Sequence, residues 1–391
     1  MNKKLDLASL FFSLFALLLL FLNHFMFVSE SRVTQKIGLT ASKSLGANFP
    51  IIVGLSILLV ALVALSRQKL WAHSLSALLA STNCGLALLF AGQATNVVAL
   101  TGDNARISMS IGCYLYMICN YLILYKTNRS MTTSWQRLVN YLPGLGIAAY
   151  SFFSGQLDGL SIMVEYYNRQ SKFHTEFWKH LSMVIRVILS AIVLSLPLVW
   201  LGHRYPRWRG WIAGFLNTIE SIPSIAFIFL LVFPLSYLNR HLPFAEAIGI
   251  SGLGAAPVYV ALLCYALFQI VNNMYGALDS IDGKYIEVGR AMGMTKRQVF
   301  FQVELPLILP VMLSGIRLAL TMTIAGTTLG AYAGYGGLGS FILSGSKGFA
   351  IDQILLGTFP ILFMILVSDA LLRFLNYLLI AFRRKRGEVQ L

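Results

Sequence analysis

Charge is what this chain has least of. Only 12% of its 391 residues are Asp, Glu, Lys or Arg, while 57% are hydrophobic; soluble domains carry about a quarter charged residues. Mean hydropathy is +0.72. These values exclude an ordinary soluble fold and place the chain among all-α polytopic membrane proteins. Cysteine is scarce as well. Cys84, Cys113, Cys119 and Cys264 lie in apolar runs without a CxxC, and read as buried small hydrophobes with no disulfide role. The histidines lack metal spacing, since even His174 and His180 fall on different faces of a helix. No GxxxxGK[ST] occurs, so any ATP is bound by a separate chain and no cofactor is expected on this one. No polar stretch is long enough for a soluble receptor domain. No cluster of His, Asp and Ser at one depth suggests an embedded enzyme.

What the chain has instead is long apolar runs. A membrane span takes about 20 such residues, and on that scale ten are expected, at about 7–28, 49–65, 75–100, 107–125, 138–155, 181–202, 211–236, 256–274, 306–330 and 353–382. The first reads as a retained helix rather than a signal peptide, because its apolar region is long and no small-x-small site follows. The fifth is the weakest, being interrupted by Pro143, Gly144 and Gly146.

The net charge of +15 then reads as a topology signal rather than a nucleic-acid footprint. With the N-terminus inside, the inner segments hold Lys3, Lys4, Arg67, Lys69, Lys126, Arg129, Arg137, Arg204, Arg207, Arg209, Lys284, Arg290, Lys296, Arg297 and the run Arg383–Arg386. The outer segments hold half as many basic residues, among them Arg32, Arg106, Arg169 and Lys347. Ten spans therefore put both termini in the cytoplasm. Removing the fifth would separate "RRKR" and "HRYPRWRG" from "MNKK".

The spans differ in kind. Residues 1–155 form a five-helix extension with few midspan charges, 156–180 a polar external elbow expected to lie along the membrane surface, and 181–386 a second set of five helices. This second set is broken by Pro197, Pro223, Pro234, Pro306, Pro310 and Pro360. It also carries Asn217, Glu220, Gln269, Asn272, Asn273, Arg317, Asp369 and Arg373 within its spans. Prolines and polar groups at that depth are tolerated where neighbouring helices or a wet route satisfy them, so the second set is the working half. Asn217, Glu220, Pro223, Ser224, Asn272 and Arg317 are the candidate pathway residues. Glu220 and Arg317 both fall near the midplane, where a lone charge costs at least about 2.5–3.5 kcal/mol. Either they pair, or Glu220 faces the route and meets a cationic group, or, less in keeping with that depth, each snorkels to water. Asp369 and Arg373 are spaced as a helical ion pair. "GYGGLG", Gly334 to Gly339, lacks the strand a dinucleotide site requires and is expected to be an external turn.

Between the eighth and ninth spans a cytoplasmic loop, 275–305, breaks the pattern with "DGKYIEVGRAMGMTKRQVFFQVELP". Asp282 is placed to N-cap one short helix, and Gly293 to end it in a left-handed C′ position. Thr295 with Gln298 forms a capping box for a second. Ile286, Val288, Met292, Val299 and Phe300 are expected to be exposed among charges, making a surface for a partner.

Glu287, Gly293, Leu305 and Pro306 match in identity and spacing the "E-A-A, three residues, G, nine residues, I-x-L-P" loop of binding-protein-dependent ABC importer permeases, which this chain resembles. Val288, Gly289 and Val303 depart conservatively from that pattern. Over about 180–386, "NTIESIPSIAFIFLLVFPL", "GRAMGMTK", "GIRLA", "TTLGAYAGYGGLGSFI" and "VSDALLRFL" look like the permeases of osmoprotectant importers for glycine betaine, choline or carnitine. Gln is usual in them where Glu220 stands, and Pro is common where Gly283 stands. The resemblance implies a five-helix permease core (MetI-like) in a bacterial inner membrane. It also implies a cytoplasmic ATPase dimer docked on Glu287, Arg290, Met292 and Gly293 with Leu305 and Pro306. A second permease subunit, identical or homologous, and an external solute-binding protein complete the assembly. That binding protein is where a selecting aromatic cage is expected. An importer of another small, amino-acid-like solute is the alternative. A secondary transporter is disfavoured because the two halves differ in proline and polar content.

Overall fold

Proline, glycine and a few polar side chains decide where the apolar runs break. The structure, a computed structural model, describes residues 6–22, 24–29, 36–66, 70–97, 106–131, 133–242 and 249–385. Lys3, Lys4, Arg32, Arg67, Lys69 and Arg386, on which part of the topology argument stands, lie outside these residues. The chain divides into two units, Met1–Asn168 and Arg169–Leu391.

The first unit contains α1 (Leu7–Leu22), α2 (Ala41–Leu45), α3 (Phe49–Leu65), α4 (Leu70–Val97), α5 (Ile111–Arg129), α6 (Ser134–Phe153) and α7 (Ser161–Asn168). The first span is shorter than expected. After Leu22 the β-prone run His24–Ser29 leaves the helix as strand β1 and pairs antiparallel with β2 (Ile37–Thr40) and β3 (Arg106–Met109). The sheet gathers segments that the charge pattern puts on the outer side, and its ladders satisfy backbone groups that no helix serves. Helix α6 runs unbroken through Pro143. The Gly144 N–H donates to Ser81 Oγ at 3.0 Å, and a Cβ at Gly144 would stand 2.4 Å from the Ser81 carbonyl oxygen. The glycine thus lets α4 and α6 approach closely. The buried amides of α5 are paired inside the bundle, Asn83 Nδ2 donating to Asn120 Oδ1 and Asn140 Nδ2 to Asn128 Oδ1 at 2.6 Å.

The second unit contains α8 (Gln170–Arg204), α9 (Pro206–Glu220), α10 (Ser224–His241), α11 (Ala255–Asp279), α12 (Gly283–Ala291), α13 (Lys296–Val299), α14 (Leu305–Thr327), α15 (Gly339–Lys347) and α16 (Ile351–Lys385). Residues 170–180, expected in a surface elbow, are instead the opening turns of α8, since nothing in "QSKFHTEFWKH" stops a helix. The seventh span is two helices, because Ser221–Pro223 breaks it. Pro223 is extended at ψ 128 and opens α10. Every expected span has a helical counterpart. Seven helices among the described residues are long and apolar enough to cross a membrane by length and composition, α1 being a shorter apolar helix. The core of this unit is the packing of α8, α11 and α14, with Val187, Ala191, Val258, Ile270, Met274 and Ala319 essentially inaccessible.

Candidate functional site

The cytoplasmic-type loop folds as two capped pieces. Asp282 accepts from the Lys284 N–H at 3.0 Å. Gly293 has φ +82, the left-handed region a side chain would resist. Thr295 Oγ1 accepts from the Gln298 N–H, and the Thr295 N–H donates to Gln298 Oε1 at 2.8 Å. Glu287, Arg290, Gly293 and Met292 are all exposed, Met292 by 72%. Val288 is exposed beside Tyr285. Val299 and Phe300 correct the expectation of exposure, for both are buried. The reason is continuity. Helix α13 passes without a break through a π-helical stretch, Phe300–Glu304, into α14, so its last residues belong to the foot of a long helix. Pro306 has no N–H for the carbonyl four residues back and crowds it, and a wider turn there accommodates the missing bond. Leu305 is half-buried and Pro306 exposed at this junction.

Side chains not singled out from sequence fix the loop to the rest of the unit. His203 Nε2 lies 2.9 Å from the buried carboxylate of Glu304, with its ring against Phe300. Arg209 grips Asp279 with two bonds of 2.8 and 2.6 Å and lies over the Tyr275 ring. Tyr275 in turn donates to the Leu198 carbonyl at 3.0 Å. The ends of α8, α9 and α11 are therefore tied beside the π stretch. The "VELP" motif contains Glu304, but its partner lies about a hundred residues away in the sequence.

At the other end of these helices the glycine-rich turn is anchored to α8. Gly334, Gly336 and Gly337 all have positive φ. The Gly337 N–H donates to Glu176 Oε2 at 2.5 Å, and the Tyr335 hydroxyl donates to the Lys179 carbonyl at 2.7 Å. One turn further along α8, the His180 Nε2–H donates to the Ile324 carbonyl of α14 at 3.1 Å.

Between these two ends the helix break opens a cavity of about 520 Å³. Glu220, Ser221, Pro223 and Ser224 line it from the break, Tyr265 and Gln269 from α11, and Met322, Thr323 and Gly326 from α14. The Tyr265 hydroxyl donates to the Ile222 carbonyl at 2.8 Å, satisfying a group that the break releases. Asn217 and Asn272 are brought together, Asn272 Nδ2 donating to Asn217 Oδ1 at 3.1 Å. Arg317 is not part of this group. Its guanidinium lies 3.5 Å from Asp369, which also holds Arg373 at 2.8 Å. The alternative that Glu220 pairs with Arg317 is thus overturned: α16 supplies a carboxylate on the Arg317 face, and no ion pair to Glu220 occurs among the described residues. Four of the six pathway candidates belong to the break, Asn217, Glu220, Pro223 and Ser224, with Asn272 bonded to it from α11. Among the described residues no group of His, Cys, Asp and Glu is placed to hold a metal ion.

Residues 199–385 match the family described as the binding-protein-dependent transport system inner membrane component. Residues 4–163 match the N-terminal domain family of the ABC transporter permease YehY. A glycine betaine/carnitine/choline transport system permease protein of Bacillus subtilis is 37% identical over 215 residues, which are 54% of this chain and 86% of the relative. A choline transport system permease protein of the same organism is 35% identical, over 58% of this chain and 93% of its own length. A carnitine transport permease protein of Listeria monocytogenes is 33% identical, over 59% and 97%.

Proposed function

The chain belongs to the permease family of binding-protein-dependent transport systems, and from that premise we propose that it forms the membrane pathway of an importer for glycine betaine or a similar quaternary-ammonium osmoprotectant. It is a multi-pass protein of the bacterial inner membrane and a transport component. The substrate class is supported by what the relatives transport, together with the match of motifs over 180–386.

The observation that carries the mechanism is the unbroken path from α12 and α13 through the π stretch into α14, which lines the cavity. An external binding protein delivers solute to the side of the glycine-rich turn. A cytoplasmic ATPase dimer, which alone binds ATP, seats Glu287, Arg290, Met292 and Gly293, and Leu305 and Pro306 pass its closure to α14. Access to the cavity then alternates. One such chain supplies half a pathway, so it works as a homodimer or with a homologous permease, both termini in the cytoplasm. Glu287→Ala and Gly293→Val test this in the assembled transporter. Both are expected to abolish solute uptake while the chain still inserts in the membrane. Gly293→Val adds left-handed backbone strain of about 1–2 kcal/mol. Uptake at the wild-type rate in both variants, or the absence of any co-purifying ATPase, would overturn the reading.

A further inference from the structure

The cavity at the helix break has a charge pattern of its own. Glu220 is the sole acidic or basic side chain among the residues that line it, and the other midspan charge, Arg317, is engaged by Asp369 outside it. Glu220 is exposed at this cavity with no Lys, Arg or His among the lining residues, so it favours a positively charged occupant. Helix α9 ends at Glu220, so the carbonyl end of that helix adds partial negative charge at the same place. Tyr265, Leu262, Met322 and Leu329 form the walls, and the Tyr265 ring is held edge-on by Phe227 at 5.9 Å. Aromatic and aliphatic walls suit a methylated ammonium, which is weakly hydrated.

We propose that Glu220 is the counter-charge that seats the positive head of the transported solute. This rests on the osmoprotectant reading and adds to it a site on the permease itself. The site ranks solutes: a cation such as choline gains the whole attraction of Glu220, whereas the carboxylate of a zwitterion such as glycine betaine offsets part of it.

The test is uptake of labelled choline and glycine betaine by the complete transporter in proteoliposomes. Glu220→Gln is expected to raise KM for choline tenfold or more, because the methylated ammonium, which has no N–H to donate, loses its coulombic partner, and KM for glycine betaine by less. Glu220→Asp, which keeps the charge, is expected to recover part of the choline affinity. If Glu220→Gln does not assemble, protection of Ser224→Cys from a thiol reagent by choline decides, and its absence overturns the proposal. Unchanged KM values in Glu220→Gln, or a fall in kcat alone that is equal for both solutes, overturn the counter-charge role while leaving the importer intact. Uptake of neither solute by the wild-type complex defeats the substrate reading and this inference together.

Discussion

Asp369 serves two guanidinium groups, Arg317 from α14 at 3.5 Å and Arg373 one turn along its own helix at 2.8 Å. A charge left alone within a bilayer costs at least about 2.5–3.5 kcal/mol, so one carboxylate between two cations explains how α14 and α16 both carry an arginine. The consequence is a specific pattern of coupling. A double-mutant cycle of Arg317→Gln with Asp369→Asn is expected to show an interaction on the order of 1 kcal/mol in detergent thermal unfolding. The cycle of Arg317→Gln with Glu220→Gln is expected to be additive. Coupling in the second cycle and not in the first would reinstate the pair that midspan depth suggested. The face on which each charge lies was not legible from residue counting.

Two elements are shaped by prolines whose missing N–H must be accommodated. At Pro223 the chain stops being helical, and Tyr265 on α11 supplies the donor for the Ile222 carbonyl. Removing that hydroxyl with Tyr265→Phe leaves a carbonyl unpaired and is expected to cost about 1–3 kcal/mol, read as a lowered unfolding midpoint. Pro223→Ala permits α9 and α10 to join. Uptake should fall sharply while the protein still assembles, because the cavity exists only where the helix is broken. At Pro306 the accommodation is different, a π-helical stretch rather than a break, so the loop and α14 remain one mechanical piece. The caps at Asp282, Gly293 and Thr295 were readable in the sequence because each depends on residues within three or four positions. Burial of Val299 and Phe300 was not, because it depends on where α14 enters the core.

At the scale of the whole molecule the two units have separate standing. The relatives are matched over 86% to 97% of their own lengths by little more than half of this chain, so a permease of their kind has no room for a counterpart of the first unit. A chain lacking residues 1–168 is therefore expected to insert and to co-purify with the ATPase, as measured by affinity pull-down from membranes. Failure of the shortened chain to insert or to bind would assign the first unit a role in assembly. Its own interior buries Asn83, Asn120, Asn128 and Asn140, with Asn83 paired to Asn120 and Asn140 to Asn128.

The sequence by itself determined the membrane class, the apolar runs that become helices and the capped loop. Each of these follows from composition or from neighbours a few residues apart along one helix. The tertiary structure alone decided which distant groups meet: Arg317 with Asp369, His203 with Glu304, Gly337 with Glu176, and Tyr265 with the carbonyl freed by Pro223. A polar group that its own helix does not satisfy must find its partner on another element. That choice depends on how the helices pack, which periodicity along a single helix does not encode.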